Sequence, residues 1–134
     1  MAPVLLDSSF LIALEHELAA GIAGPAVAWL RRNRGLPQRP LLVSCISVAE
    51  FLEGCRDAQE GMAFILHYIP QSIGFQHATK CAELQRRARR SGTRYGENDA
   101  WQLAFVERAQ ASVVGRDRRA FQHLGGRYEQ FDHN

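Results

Sequence analysis

The chain has 134 residues, one domain's worth; such a domain buries roughly 65–70% of its unfolded surface and needs no covalent staples. Hydrophobic residues make up 46% of it, which excludes a disordered chain, and no apolar run reaches the length of a membrane span. The net charge is only +2, but fifteen of the sixteen basic residues are Arg, and they cluster at Arg31–Arg39, Arg86–Arg94 and Arg116–Arg119. Arg is the better fork for phosphate or carboxylate, so three clusters in one small domain point to an anionic partner, against the plainer reading of solvated faces.

In chain order, Val4–Leu6 is an apolar run of strand character closed by Asp7. Ser8 and Ser9 then offer N-caps for a helix over "FLIALEHELAA". Gly21 and Gly24 mark a break, and Pro25 suits the first turn of "PAVAWLRRNR". "GLPQRP" is a loop. A second strand runs from Leu41 to about Ser44, and Ser47 with Glu50 has capping-box spacing for the helix "VAEFLEGCRDA". "QEGMAFILHYI" reads as a helix stopped by Pro70, and "GFQHATKCAELQRRARRSG" as a long one with Arg on its polar side. "ENDAWQLAFVERAQ" is a further helix, "SVVG" a strand followed by Asp117, "RRAFQHLG" a short helix, and "YEQFD" a last strand.

Cys45, Cys55 and Cys81 are odd in number and lack CxxC spacing, which excludes a disulfide framework and a zinc knuckle. They read as reduced, mostly buried thiols of a cytoplasmic protein. The N-terminus has no basic region, and Asp7 interrupts any apolar signal core. A single soluble domain over residues 1–134, away from the membrane, is the expectation.

Strands alternating with helices predict a parallel sheet covered on both faces, with any ligand beyond the carboxyl ends of the strands. Acids collect at that predicted edge. Asp7 closes the first strand, Glu50 lies in the helix after the second, Asp99 opens the "ENDAW" helix, and Asp117 follows "SVVG". Each has a plainer role when taken alone: Asp7 as a cap, Glu50 in a capping box, Asp99 as a dipole partner, Asp117 paired with its Arg neighbours. Together they repel one another unless a cation sits among them, and hard oxygen ligands select Mg²⁺ or Mn²⁺.

"VLLDSSFLIAL", "ISVAEFLEG", "ENDAWQLAFVERA" and "SVVGRDRRAF" resemble, in that order, the motifs of PIN-domain ribonucleases, and most of all the VapC toxins of toxin–antitoxin pairs. The resemblance covers Val4 to about Phe131. It implies a three-layer α/β/α sandwich around a central, mainly parallel sheet of four to five strands. It matches Asp7, Glu50, Asp99 and Asp117 to the family's acidic quartet, and Ser8 and Ser9 to the hydroxyls after the first Asp. It also implies a VapB-like antitoxin as partner, a homodimer, and RNA products with 5′-phosphate and 3′-hydroxyl ends. The faces of "FLIALEHEL" and "MAFILHYI" are open to either an interface or the core. Gly115 departs from the pattern, since relatives often carry Thr or Ser there.

These residue types fit metal-assisted phosphodiester hydrolysis of RNA. Asp7, Asp99 and Asp117 are the metal-ligand candidates, Glu50 completes the catalytic set, and Ser8 and Glu53 are secondary candidates. Leaving out the four acids, 10 acidic residues face 16 basic ones, a remainder of +6 suited to an RNA backbone. Arg86, Arg87, Arg89, Arg90, Arg94, Arg116 and Arg118 are the candidate phosphate contacts, although such rows equally suit an acidic antitoxin tail. A haloacid-dehalogenase-type phosphatase wants an Asp where Ser9 stands. A receiver domain wants a late strand-end Lys, and Lys80 is mid-helix. The remaining alternative is a non-catalytic PIN-like scaffold that binds RNA or protein.

Overall fold

The computed structural model describes residues 2–34, 39–116 and 118–132, without the side chains of residues 118 and 120. Asp117 and most of the "GLPQRP" loop therefore lie outside the described residues.

Among the described residues five strands, β1 (Val4–Leu6), β2 (Leu41–Ser44), β3 (Ile69–Gln71), β4 (Ser112–Gly115) and β5 (Tyr128–Gln130), form one sheet in the order β3-β2-β1-β4-β5. Every pairing is parallel. The helices are α1 (Ser8–Ala20), α2 (Pro25–Arg34), α3 (Cys45–Glu53), α4 (Ala58–Ile65), α5 (Ala78–Arg90), α6 (Glu97–Ala109) and the short α7 (Arg118–Phe121).

The alternation of strand side chains divides the core in two. Val4, Leu6, Val43 and Val114 point to the face covered by α1–α4, where they meet Phe10, Leu14, Trp29 and Phe51. Leu5, Leu42 and Val113 point to the other face, against Leu84, Leu103, Val106 and Phe121. The result is the α/β/α sandwich expected, with the sheet parallel throughout.

The structure corrects the sequence reading in four places. Helix α4 stops at Ile65, and the residues after it form β3, whose Pro70 pairs with Val43. A strand holding Pro is tolerated there because β3 is an edge. Helix α3 begins at Cys45, so its cap is Ser44, whose hydroxyl accepts from the Ser47 N–H; Ser47 lies inside the helix and is buried. The N-cap of α1 is Asp7, and its side chain makes no capping bond. Of the three free cysteines only Cys81 is buried, while Cys45 is exposed.

The break between α1 and α2 is held by Glu17. Its buried carboxylate accepts from the Ala26 and Val27 N–H groups at 3.0 and 2.9 Å, closing the first turn of α2 beside Pro25. Gly24 is required there, because a Cβ would fall 2.6 Å from the Glu17 carboxyl carbon. Among the described residues no single helix is long and apolar enough to cross a membrane.

Candidate active site

In this strand order the chain runs outward in both directions from the β1–β4 pair, so the crevice lies at the carboxyl ends of those two strands. The Asp7 N–H extends the ladder by donating to the Val114 carbonyl at 3.0 Å, which fixes Asp7 at that point. Asp7 is only 7% exposed. Burial pushes its carboxyl from 3.8 up to about 6; the Ser9 hydrogen bond opposes the shift and the charge of Glu50 adds to it.

Ser9 is the hydroxyl that serves Asp7. Its Oγ donates to Asp7 Oδ2 at 2.8 Å and accepts from the Arg116 N–H at 2.9 Å, tying the end of β1 to the end of β4. Gly115 leaves room for this. A Cβ on it would meet Asp7 Cβ at 3.0 Å, Asp7 Oδ2 at 3.1 Å and Ser9 Oγ at 3.2 Å. Position 115, where the sequence departs from its relatives, carries no hydroxyl, and the hydroxyl on Asp7 comes from Ser9.

Glu50 is the electrostatic middle of the set. It projects from α3 at the solvent-open rim, yet the surrounding protein still displaces enough water to raise its carboxyl. A hydrogen bond with the Ser8 side chain opposes that rise, and the charges of Asp99 and Glu53 reinforce it. Asp99 is the third residue of α6, half-buried, with its carboxylate folded toward the Gly96 N-cap at the positive end of the helix. Glu53 is exposed at the end of α3. Asp7, Glu50 and Asp99 thus form a run of interacting carboxylates, with Ser8 and Ser9 as their hydroxyl partners.

Among the described residues no three His, Cys, Asp or Glu side chains converge closely enough to hold an ion unaided. The chemistry of the donors nevertheless fits a hard divalent cation. They are carboxylates only, one of them buried against its preference for water; the charge of Glu50 raises the proton affinity of Asp7, and that of Asp99 raises the proton affinity of Glu50. A cation relieves the same repulsion that a proton does.

The Arg candidates separate into two groups. Arg86, Arg87, Arg89 and Arg90 are exposed on α5, opposite its buried Cys81, Leu84 and Ala88. Arg94 is exposed and stands 3.8 Å from Glu97. The Arg116 guanidinium is already engaged, donating to Asp132 at 2.8 Å and lying over the Phe131 ring. The side chain of Arg118 lies outside the described residues.

One buried group was not foreseen. Gln102, on α6 and 1% exposed, receives hydrogen bonds on its Oε1 from Ser44 at 2.9 Å and Ser47 at 2.8 Å. Its signal in the sequence is a lone amide within the apolar run "AWQLAFV".

No family model matches the sequence, and no curated relative does. Solved structures match closely in shape. The chain has the α/β/α architecture of a PIN domain, with Asp7 at the end of β1. Within that class its fold is that of the VapC toxins. It is similar to DNA-bound VapBC from Salmonella typhimurium, with TM-score 0.72 and 19% identity over 98% of this chain and 99% of the other. It is similar to VapBC-1 from nontypeable Haemophilus influenzae, with TM-score 0.72 and 19% identity over 96% of each chain. It is also similar to Mycobacterium tuberculosis VapC20, described as a sarcin-ricin loop cleaving toxin, with TM-score 0.64 and 19% identity over 91% of this chain and 95% of the other.

Proposed function

We propose that this protein is a Mg²⁺- or Mn²⁺-dependent endoribonuclease and the toxin of a VapBC-type pair. The observation that carries the reading is the run Asp7–Glu50–Asp99 at the crevice between β1 and β4, with Asp7 so buried that desolvation, helped by the charge of Glu50, pushes its carboxyl up to about 6. Surplus carboxylate in a place of that kind is a burden on folding and an asset for holding a cation.

Asp7 and Asp99 would hold the ion, together with Asp117. A divalent ion in such a site supplies Lewis acidity toward a phosphate and lowers the pKa of bound water. The chain's own groups do the rest. Ser9 orients the Asp7 carboxylate through its short hydrogen bond, and Ser8 orients Glu50 at the rim. Glu50, raised above its ordinary value, is suited to accept a proton from an attacking water. The exposed Arg row of α5 is suited to the phosphate backbone of single-stranded RNA.

An antitoxin partner is supported by what the core leaves uncovered. The core takes Phe10, Leu11, Leu14 and Ile65, but Ile12 and Leu18 stay exposed beside a groove of 850 Å³ between α1, α3 and α4. Phe51 and Phe64 line its floor and Glu15 and Glu60 its rim. A groove of this size suits an apolar segment of a small partner, and a second copy of the chain is the competing occupant.

The test is expression of the wild type and of Asp7→Asn in bacteria, with cleavage of total RNA in Mg²⁺, Mn²⁺ and EDTA. The reading requires that the wild type arrest growth and cut RNA only with metal, and that the variant do neither. If both are harmless and neither cuts RNA, the catalytic reading is wrong. RNA or protein binding that persists unchanged in Asp7→Asn and in EDTA, without cleavage, would establish a scaffold instead.

A further inference from the structure

We infer that Gln102 is a positioning residue that sets α3 against α6, and so fixes Glu50 relative to Asp99. The inference rests on the proposed nuclease site. Helices α3 and α6 lie on opposite faces of the sheet and share no core: α3 contributes Phe51 to one cluster, and α6 contributes Leu103, Ala104 and Val106 to the other. Side-chain hydrogen bonds tie them at the carboxyl edge of the sheet. There Gln102 Oε1 accepts from Ser47 of α3 and from Ser44, the cap of α3.

The spacing gives the contact its consequence. Ser47 stands three residues before Glu50 and Gln102 three residues after Asp99. Residues three apart on a helix share a face, so each partner in the tie lies one turn from an acid. Ser44 has a second task that fixes its orientation, since its Oγ accepts from the Ser47 N–H at 3.0 Å while its own hydrogen points to Gln102. The tie therefore registers the start of α3, and not merely its surface, against α6.

Packing alone does not call for an amide here. The flanking residues Ala100, Leu103, Ala104, Phe105 and Val106 are buried and apolar, and an apolar side chain at 102 would avoid the cost of desolvating an amide. A buried, fully directed polar contact holds helices to a fixed separation, where apolar packing permits sliding. Asp99, a proposed ligand, and Glu50, the proposed proton acceptor beside the ion, need that precision, and groups behind a ligand commonly change metal affinity about 10- to 100-fold when removed.

The experiment is Mn²⁺ titration by calorimetry at pH 7.5 on the intact chain, with a thermal melt of each variant. Gln102→Leu and Ser47→Ala are each expected to weaken Mn²⁺ binding about tenfold or more. The double variant should be no weaker than Gln102→Leu alone, because Gln102→Leu already removes the contact that Ser47→Ala removes. Ser47→Thr keeps the hydroxyl and is expected to keep Mn²⁺ affinity near wild type, which a purely volumetric role for Ser47 would not predict. If Gln102→Leu does not fold, the Ser47→Ala and Ser47→Thr pair decides. Mn²⁺ affinities within twofold of wild type in Gln102→Leu and Ser47→Ala, whatever their melting temperatures, overturn the inference alone. A wild-type chain that binds no Mn²⁺ overturns it together with the proposed function.

Discussion

Gly115 faces Asp7 across the ends of β4 and β1 so closely that a Cβ at 115 would stand 3.0 Å from the Asp7 Cβ. The neighbours cannot easily give way. Asp7 is buried, its N–H is bound in the sheet ladder, and its carboxylate is held by Ser9. Gly115→Ala is therefore expected to overpack the site, at a cost of about 1–3 kcal/mol. Because the strain falls on Asp7 and Ser9, Mn²⁺ affinity should drop with the melting temperature. Calorimetry on the folded variant separates the two effects, and a variant with unchanged stability and metal affinity would show that the β1–β4 edge spreads freely.

The raised pKa of Asp7 makes a prediction with a definite sign. Between pH 3.8 and about 6 the folded chain binds a proton at Asp7 that the unfolded chain has released. Stability contributed at this group is therefore greatest at the acid end and falls as pH rises through that window. The total loss is of order 2–3 kcal/mol, since one pKa unit is worth about 1.4 kcal/mol. Asp7→Asn keeps an acceptor for Ser9 and carries no charge. In EDTA it should be more stable than the wild type above pH 6, with the difference fading toward pH 4. Mn²⁺ should stabilise the wild type more at pH 7.5 than at pH 5, because the ion and the proton compete for the same carboxylate. Thermal melts across this range, with and without Mn²⁺, read both effects, and a wild type more stable than Asp7→Asn in EDTA at pH 7.5 would refute the account.

The sequence carried the layers of the fold because its strongest signals are periodic. Val4–Leu6, Leu41–Ser44 and Ser112–Gly115 are central strands buried on both faces, and they read as apolar runs closed by polar residues. β3 was hidden because Pro70 is a helix stop and equally an edge-strand residue, and only the neighbouring β2 decides between them. Ser47 illustrates the other limit. Its spacing from Glu50 fits a capping box, but the helix begins two residues earlier and Ser47 turns inward to Gln102. That partner is remote in sequence, so no local pattern announces it. Asp7, Glu50 and Asp99 were legible as neighbours because a parallel sheet brings strand ends together, whereas the Ser9–Asp7–Gly115 fit depends on contacts across β1 and β4.

Glu17 offers a test of stability away from the site. Its carboxylate closes two N–H groups of α2 that have no helical partner, in a buried position. Glu17→Ala leaves those donors unsatisfied and empties the space that Gly24 keeps clear, so a loss of about 2–4 kcal/mol is expected. Glu17→Gln retains one acceptor and should lose less. Urea unfolding reads the difference, and Mn²⁺ affinity of the folded fraction should stay at the wild-type value, because α2 carries none of the acids. Equal stability of Glu17→Ala and wild type would mean that α2 finds other caps.

The Arg row of α5 can be separated from Arg116 by salt dependence. Gln85 clamps the segment before α6 by bonding both the N–H and the carbonyl of Tyr95 at 3.0 Å, which ties α5 to the residues just before the start of α6. Arg86 and Arg90 are four residues apart and share an exposed face of α5. Each phosphate contact to a single strand contributes about 0.7 to the slope of log affinity against log salt. The double substitution Arg86→Ala, Arg90→Ala should thus lower the slope by about 1.4, measured without metal in the Asp7→Asn background. Arg116→Ala should change it less, because its guanidinium is neutralised by Asp132, a carboxyl that hydrogen bonds from Gln130 and Arg116 hold below its ordinary value even against partial burial. The opposite order, with a steep loss at Arg116 and none on α5, would place the RNA backbone along the end of β5 and leave the α5 row as a solvated helix face.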